Sequence, residues 1–495
     1  MGQLVLYIRQ VVMVLLNFFH FFHYTYFFVT MQTTDLIDQP ATMALAAFAS
    51  SLTLDQIPAE LVDSVKLHLL DGIGVALYGS QLPWTQHVAH IAMAEGCTPV
   101  ATLLGDGRRT SALNAVLVNA TAGHAFEMDD IHKNSVLHPN SLGVPVALAL
   151  AEAHPGIGGV DVITALTAGT EIGVRVGNAA TTALFLNGFH PQGTTGAFVS
   201  AAAAGRLLRL TPGQMQHTLG IAGSMGAGLM AAQEGAMVKR LHAGRAAQAG
   251  LQAALLAQQG FTGIENILEA GYGGFLSAFA RTCKPERLLD GLGTDWEAGK
   301  VGYKMYPNVT SIHAALDAMK ALMREYGLNA SDIDRIEVGC GHMTYVHTAW
   351  PYEPKGVTAA QMNLFYGLAV MALRGSVSAG DYAQARIADP EIMDFISRIH
   401  PFEDEMIESR GAEARHAARL QVKTKSGQLL SHDVWARRGS PENPVIPEEV
   451  KEKFFANSSH LLNKTTAQEL VRQVLILESL DSLEGIISLL KEERT

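Results

Sequence analysis

The sequence predicts a mainly α-helical protein: a large all-α domain, formed by the N-terminal part of the chain and its C-terminal tail, with an inserted smaller α+β lid domain. Three observations carry that expectation. Between Thr42 and Gly260, segment after segment places apolar residues at helical spacing. After "GYGGFLSAFA" (Gly271–Ala280) the pattern changes to strand-like alternation mixed with helices. The tail then returns to helical periodicity. The expected boundaries are residues 31–301 for the helical domain, 302–437 for the lid, and 438–495 for the helices completing the first domain.

Residues 1–30 stand apart. "LVLYIRQVVMVLLNFFHFFHYTYFFV" is long enough to span a bilayer, but Arg9, Gln10, Asn17, His20 and His23 interrupt it and no small-residue cleavage site follows. Met31 then opens "MQTTDLIDQPATMALAAFASSL", which reads as the start of a soluble domain. The extension is read as the product of a mispredicted start, with a membrane anchor second. Membrane contact is expected only if it is real.

The first long helix is "IPAELVDSVKLHLLDGIGVALYG", which has Pro58 at its start and Leu61, Val62, Val65, Leu69 and Leu70 on one face. "TSALNAVLVNATAGHAFEMDD", "LGVPVALALAEAH", "GVDVITALTAGTEIGVRVGNA", "GAFVSAAAAGRLLRL", "TPGQMQHTLGIAGSMGAGLMAAQ" and "HAGRAAQAGLQAALLAQQG" continue the pattern, with small residues letting helix backbones approach closely. In the second part, "SIHAALDAMKALMREYG" and "QMNLFYGLAVMALRG" read as helices. "IDRIEVGCGHMTYV" and "ARLQVKTKSGQLLSHDV" read as strands. "PEEVKEKFFANSSHLL" and "TAQELVRQVLILESLDSLEGIISLL" are the helices of the tail.

Composition narrows the function. The chain is 48% hydrophobic and only 17% charged, and its mean hydropathy is +0.15, which calls for much buried helix surface, including a subunit interface. A net charge of −11 argues against a nucleic-acid partner. Cys97, Cys283 and Cys340 are far apart, with no CxxC pair and no disulfide framework, so a reducing compartment is expected, cytoplasmic or mitochondrial.

Five stretches can carry chemistry. "HAFEMDDIHKNSVLHPNS" (His124–Ser141) concentrates His, Asp and Glu in an otherwise apolar chain. Without HExxH, an Asp/Asn-rich calcium loop or a Cys pair, no metal is expected. Asp129 and His138 are the functional candidates, His124 is read as structural, and His132 stays open. "NGFHPQGTTGAF" places His190 before a Gly/Thr-rich helix start whose backbone N–H groups favour carboxylates. "QEGAMVKRLHAGRAAQAG" clusters Lys239, Arg240, His242 and Arg245 between apolar runs, and a buried Lys needs a partner, which an anionic substrate would supply. Lys304, His313, His342, Tyr345 and His347 belong to the smaller domain, placed to cover a cleft in the larger one.

Taken together and in order, "MDDIH…LHP", "GFHPQGTTGAF", "MVKRLHAGRAAQAGL", "GYGGF" and "KMYP…SIHAALDA" resemble the MmgE/PrpD family, which includes 2-methylcitrate dehydratase, cis-aconitate decarboxylase and iminodisuccinate epimerase. The resemblance runs from Met31 to the C-terminal helix. It implies the same division into helical and lid domains, a homodimer, and a cleft needing neither metal nor organic cofactor. By position, the family's catalytic aspartate falls on Asp129, its "HP" histidine on His138, its lysine on Lys239 and a lid tyrosine on Tyr345. His190, His132, Arg240 and His242 are assigned to substrate binding. One position departs: some members carry a histidine after the "YP" turn where this chain has Val309.

The implied substrates are small di- or tricarboxylates. Loss of CO2 or water from them leaves electron density conjugated with a carboxylate, which nearby cations stabilise in a dry site. An unperturbed histidine near pH 6.5 suits His138 for the proton transfer. The expected activity is a cofactor-independent lyase, cis-aconitate decarboxylase-like. Animal-type decarboxylases and bacterial methylcitrate dehydratases carry that histidine and a fungal-type cis-aconitate decarboxylase lacks it, which sets decarboxylation slightly ahead of 2-methylcitrate dehydration. An iminodisuccinate-type epimerase and a non-catalytic paralogue follow.

Overall fold

The computed structural model describes residues 40–491, so the expectation for residues 1–30 lies outside the described residues. The chain is mainly helical, with small sheets. Its principal N-terminal helices are α1 (Ala41–Ser51), α2 (Ala59–Ser80), α3 (Pro83–Ala94), α4 (Ala112–Gly123), α5 (Asn140–Ala153), α6 (Gly159–Leu186), α7 (Gly196–Leu207), α8 (Pro212–Met225) and α9 (Val238–Gln258). Local signals place their starts. Ser111 accepts the Asn114 N–H ahead of α4, and Thr211 accepts the Gln214 N–H ahead of α8.

Small residues set the spacing between these helices. A Cβ on Gly173 of α6 would lie 2.1 Å from Val199 of α7, so a larger residue there would push the two helices apart. The resulting apolar cluster joins Leu69, Leu142, Ile172, Phe198 and Leu251 to Phe454, Leu470 and Ile486 from the far end of the chain. Those last residues belong to α13 (Pro447–Ser458), α14 (Lys464–Leu475) and α15 (Glu484–Lys491). α13 and α14 pack on α2, and Lys66 of α2 donates to the Leu475 carbonyl at 3.1 Å.

Between these parts lies the mixed segment, with α10 (His313–Tyr326), α11 (His342–Thr348) and α12 (Leu364–Arg374). β1 (Ile131–His132) pairs antiparallel with β2 (Val301–Gly302), tying the mixed segment's approach to the loop after α4. The larger sheet has the order β4-β3-β5-β6, made of β3 (Ile333–Cys340), β4 (Ile399–Glu403), β5 (Ala418–Thr424) and β6 (Leu429–Val434). β4 runs parallel to β3, and the other pairs are antiparallel. Leu316, Met319 and Leu322 of α10 share one apolar cluster with Ile336, Leu420 and Val422 of the sheet.

Two expectations change. "GHMTYV" does not continue the strand: β3 ends at Cys340, and Gly341 turns the chain into α11, whose first N–H, from His342, is accepted by Glu408 at 2.9 Å. Strand β4, "IHPFE", adds to the expected strands, because a five-residue run containing Pro401 carries little periodic signal. Among the described residues, no helix is long and apolar enough to cross a membrane.

Candidate active site

Glu127 has φ of 55°, a left-handed conformation that a residue with a Cβ keeps only where its contacts hold it. Here the contacts are ionic. Lys239 and Arg240, from the first turn of α9, both reach Glu127 Oε1, and Lys304 Nζ lies 3.0 Å from Oε2. Arg240 also donates to Gln361 Oε1 at 2.8 Å, and the Gln361 amide donates to the Phe126 and Pro307 carbonyls. All four charged side chains are buried. Burial opposes the Glu127 charge, but Lys239, Lys304 and Arg240 outweigh it and hold the carboxyl well below the usual carboxylate range. Burial pulls the Lys239 ammonium down to about 8 against the attraction of Glu127.

Beside this ion cluster, Asp129 organises two imidazoles. His124 Nδ1 lies 2.7 Å from Asp129 Oδ2, and the Ser141 hydroxyl is 3.0 Å from the same oxygen. His138 Nδ1 lies 3.5 Å and Lys304 Nζ 3.8 Å from Asp129 Oδ1. Burial opposes ionisation of Asp129, and His138, His124 and Lys304 together hold its carboxyl below the ordinary range. His138 Nδ1 is also 2.5 Å from the Asp130 carbonyl oxygen. A carbonyl can only accept, so Nδ1 carries the ring proton and Nε2 the lone pair. Gln192 fixes the His138 backbone from both sides, accepting its N–H and donating to its carbonyl, each at 3.0 Å.

His190 stands beside His124, with 5.8 Å between ring centroids. Its Nδ1 lies 2.9 Å from His242 Nδ1, so one ring donates to the other. Gly228 leaves room for the pair: its φ is 153°, and a Cβ there would stand 3.2 Å from His242 Nδ1. Burial pushes His190 well below its ordinary value, His138 to about 3 and His242 to about 4. The imidazoles are therefore neutral at neutral pH, which corrects the expectation that His138 titrates near its free value.

These groups face a cavity of about 500 Å³, counted with its opening to solvent. Glu127, His138, His190, Lys239, Lys304 and His347 give it a polar lining, and Phe185, Met230, Val309 and Met343 close the apolar sides.

Against known proteins, the MmgE/PrpD N-terminal domain matches residues 43–288 and the MmgE/PrpD C-terminal domain matches residues 306–478. The chain belongs to the MmgE/PrpD family. Cis-aconitate decarboxylase of Aspergillus terreus (strain NIH 2624 / FGSC A1156) is 30% identical to it over 469 residues, covering 91% of this chain and 95% of the relative. The cis-aconitate decarboxylase-like protein oryM of Aspergillus oryzae is 29% identical over 91% of this chain and 97% of its own length. Cis-aconitate decarboxylase of Homo sapiens is 28% identical over 91% and 94% respectively.

Within this MmgE/PrpD chain, the residues singled out from sequence separate into three sets. His138, His190 and Lys239 line the cavity. Asp129, Arg240 and His242 stand one layer behind, each bonded to a group that lines it. His132 and Tyr345 are elsewhere. His132 accepts the Ser135 N–H at Nδ1 and meets Glu297 through Nε2 at 3.0 Å, so both its nitrogens are engaged away from the cavity. Tyr345 sits on α11, whose Met343 and His347 line the cavity while Tyr345 does not.

Other expectations are also revised. The partner of buried Lys239 is Glu127, within the chain. His124, read as structural, is bound directly to Asp129. The N–H groups of Gly193, Thr194 and Gly196 bond to the His190 and Pro191 carbonyls, so they are spent within the turn rather than offered to a carboxylate. Glu127 and Thr310 are functional candidates that sequence reasoning did not single out, while Lys304 and His347, named only as part of the stretches covering the cleft, line the cavity.

Ligand atoms of His124, Asp129 and His138 lie within 4.8 Å of one another, close enough for a metal. The donor chemistry fits a hydrogen-bonded relay better. Lys304 already faces Asp129 Oδ1 with a positive charge, His124 Nδ1 bonds to Oδ2, and His138 Nδ1 bonds to a carbonyl.

Proposed function

We propose that the chain is a cofactor-independent lyase of small tricarboxylic acids, and that it decarboxylates cis-aconitate. The observation that carries this reading is the charge of the cavity wall. Lys239 and Lys304 on the wall, with Arg240 behind it, set three cations against the two carboxylates of Glu127 and Asp129, next to a neutral histidine and apolar walls. The excess of cationic charge suits a polyanion, and the names of the similar proteins point to the same acid.

In this reading Lys239 and Lys304 hold the carboxylates that stay. The carboxylate on the saturated carbon leaves as CO2. Its C–C electron pair forms a new double bond, and the old π pair moves to the carbon next to the terminal carboxylate, where the ammonium groups stabilise the charge. A proton then closes that carbon. His138 is the donor: its Nδ1–H is committed to Asp130, leaving Nε2 for proton traffic. A bound polyanion raises the proton affinity of Nε2, and Asp129 at 3.5 Å supports the imidazolium that forms. A trianion becomes a dianion plus CO2, so one proton is taken up per turnover.

Residues 302–437, bearing Lys304 and His347, act as the lid over the helical part, and the working unit is a homodimer. Light scattering on the purified protein tests the dimer. Proton NMR with cis-aconitate in D2O tests the reaction. Itaconate signals with deuterium at the protonated carbon are expected. Unchanged cis-aconitate with folded protein would remove the decarboxylase reading and make alkylcitrates the next substrates to try. Lys239→Ala is expected to weaken substrate binding, and unchanged binding would refute its carboxylate role.

A further inference from the structure

We propose that His347 contacts the substrate directly, presenting a hydrogen-bonding imidazole from the α+β segment at the wall where Val309 presents none. The inference rests on the tricarboxylate reading and adds a specific residue to it. Its ligand is one carboxylate of the acid.

His347 is only 7% exposed, yet neither ring nitrogen has a hydrogen-bond partner. Other buried histidines here differ. His132 engages both nitrogens, His124 uses Nδ1 on Asp129, and His313 Nε2 lies 3.3 Å from the Asn308 carbonyl. A buried imidazole with a bare donor and a bare acceptor is unfavourable unless something in the adjoining space completes them. The adjoining space is the cavity lined by Lys239, Lys304 and His138. Thr310 lines the same cavity, and its hydroxyl is likewise buried without a partner.

The ring is held ready for a ligand. Phe185 packs against it at 75°, with 4.9 Å between centroids. The helix beneath it is fixed at both sides: Glu408 accepts the His342 N–H, and Thr344 Oγ1 donates to the Arg415 carbonyl at 2.9 Å. Arg415 in turn donates to the Lys133 carbonyl at 2.7 Å, in the loop that carries His138. His347 and His138 are thus referenced to one another through a short chain of bonds. Burial keeps the free ring neutral, near 4, so it offers one N–H and one lone pair rather than a charge. A carboxylate takes the N–H.

The test uses the full-length protein and propane-1,2,3-tricarboxylate, a saturated acid with no double bond through which to lose CO2. Calorimetry gives its Kd for wild type and for His347→Phe, and cis-aconitate turnover gives KM and kcat. His347→Phe is expected to raise Kd and KM at least tenfold while Lys239 and His138 still act. Adding Val309→His to that variant restores part of the loss. Values within twofold of wild type overturn the inference. A readout on wild type covers the case in which the Phe variant does not fold: the ¹⁵N resonances of the His347 ring, assigned with His347→Gln, move on addition of the acid. Unmoved resonances at saturation overturn it, as does a wild type that binds none of the acid. A wild type that binds the acid but leaves cis-aconitate unchanged rejects the decarboxylase reading alone, while the His347 comparison still decides.

Discussion

His138 Nδ1 lies 2.5 Å from the carbonyl oxygen of Asp130, and this one contact decides which nitrogen of the ring is free to act. Replacing His138 with Ala removes the proton donor and leaves the ammonium pair in place. The expected result is a fall in kcat of roughly 10²–10⁴-fold, the range usual for general acid–base groups. The Kd of propane-1,2,3-tricarboxylate changes far less. Wild-type turnover by the variant would exclude His138 from the mechanism.

Glu127→Gln keeps the size of the side chain and removes its charge, leaving Lys239, Arg240 and Lys304 facing one another in a buried place. Breaking a buried pair from one side costs about 3–5 kcal/mol. Urea unfolding is expected to show a loss of that order. A midpoint equal to wild type would mean the three cations find other partners.

Lys239 loses its proton near 8 in the free protein. Its charged form binds carboxylates, so affinity is full below that value and declines as pH rises through it. Titrating the Kd of the saturated tricarboxylate across that value, from mildly acidic to alkaline buffer, locates the break. Replacing Lys239 with Met should abolish the break, and its persistence would assign it to another group.

Acid stability reports on His347. Its folded value is near 4, against about 6.5 in an unfolded chain. Between those values the unfolded state binds the extra proton, so the histidine lowers stability as pH falls, by up to about 1.4 kcal/mol per unit. His347→Phe removes that contribution, while Asp130 and Glu171 titrate in both proteins and cancel. The variant should therefore gain on wild type as pH drops from about 6.5 toward about 4, measured by urea midpoints. A constant difference would place the His347 ring in water.

Much of this was legible from periodicity. Helix α2 begins just after Pro58, and the stretch from His124 to Ser141 does carry the histidine and carboxylates at the centre of the site. What was not legible depends on distant residues meeting. Nothing local distinguishes Glu127; its role comes from cations 112, 113 and 177 positions away. Burial shifted His138 from its free value, and burial is not written in a loop's composition.

The case of Tyr345 has a geometric cause. Read as a strand, "GHMTYV" and the residues after it would put positions 343, 345 and 347 on one face. As a helix the same residues advance about 100° each, so Met343 and His347 share a face and Tyr345 points elsewhere. The expectation for Tyr345 came from the family resemblance, and the helical period is what turns its side chain from the face that Met343 and His347 share.

Lys304 sits in the interval from 289 to 305, between the two regions by which the chain matches its family, yet it is bonded to Glu127 in the first of them. The seam between the two halves is therefore itself part of the charged wall. Hybrids assembled by joining one relative's front half to another's back half will inherit or lose that ammonium according to where the cut falls. Designs that keep the interval with the front half preserve the Glu127–Lys304 pair, and so offer the cleaner route to exchanging one back half for another.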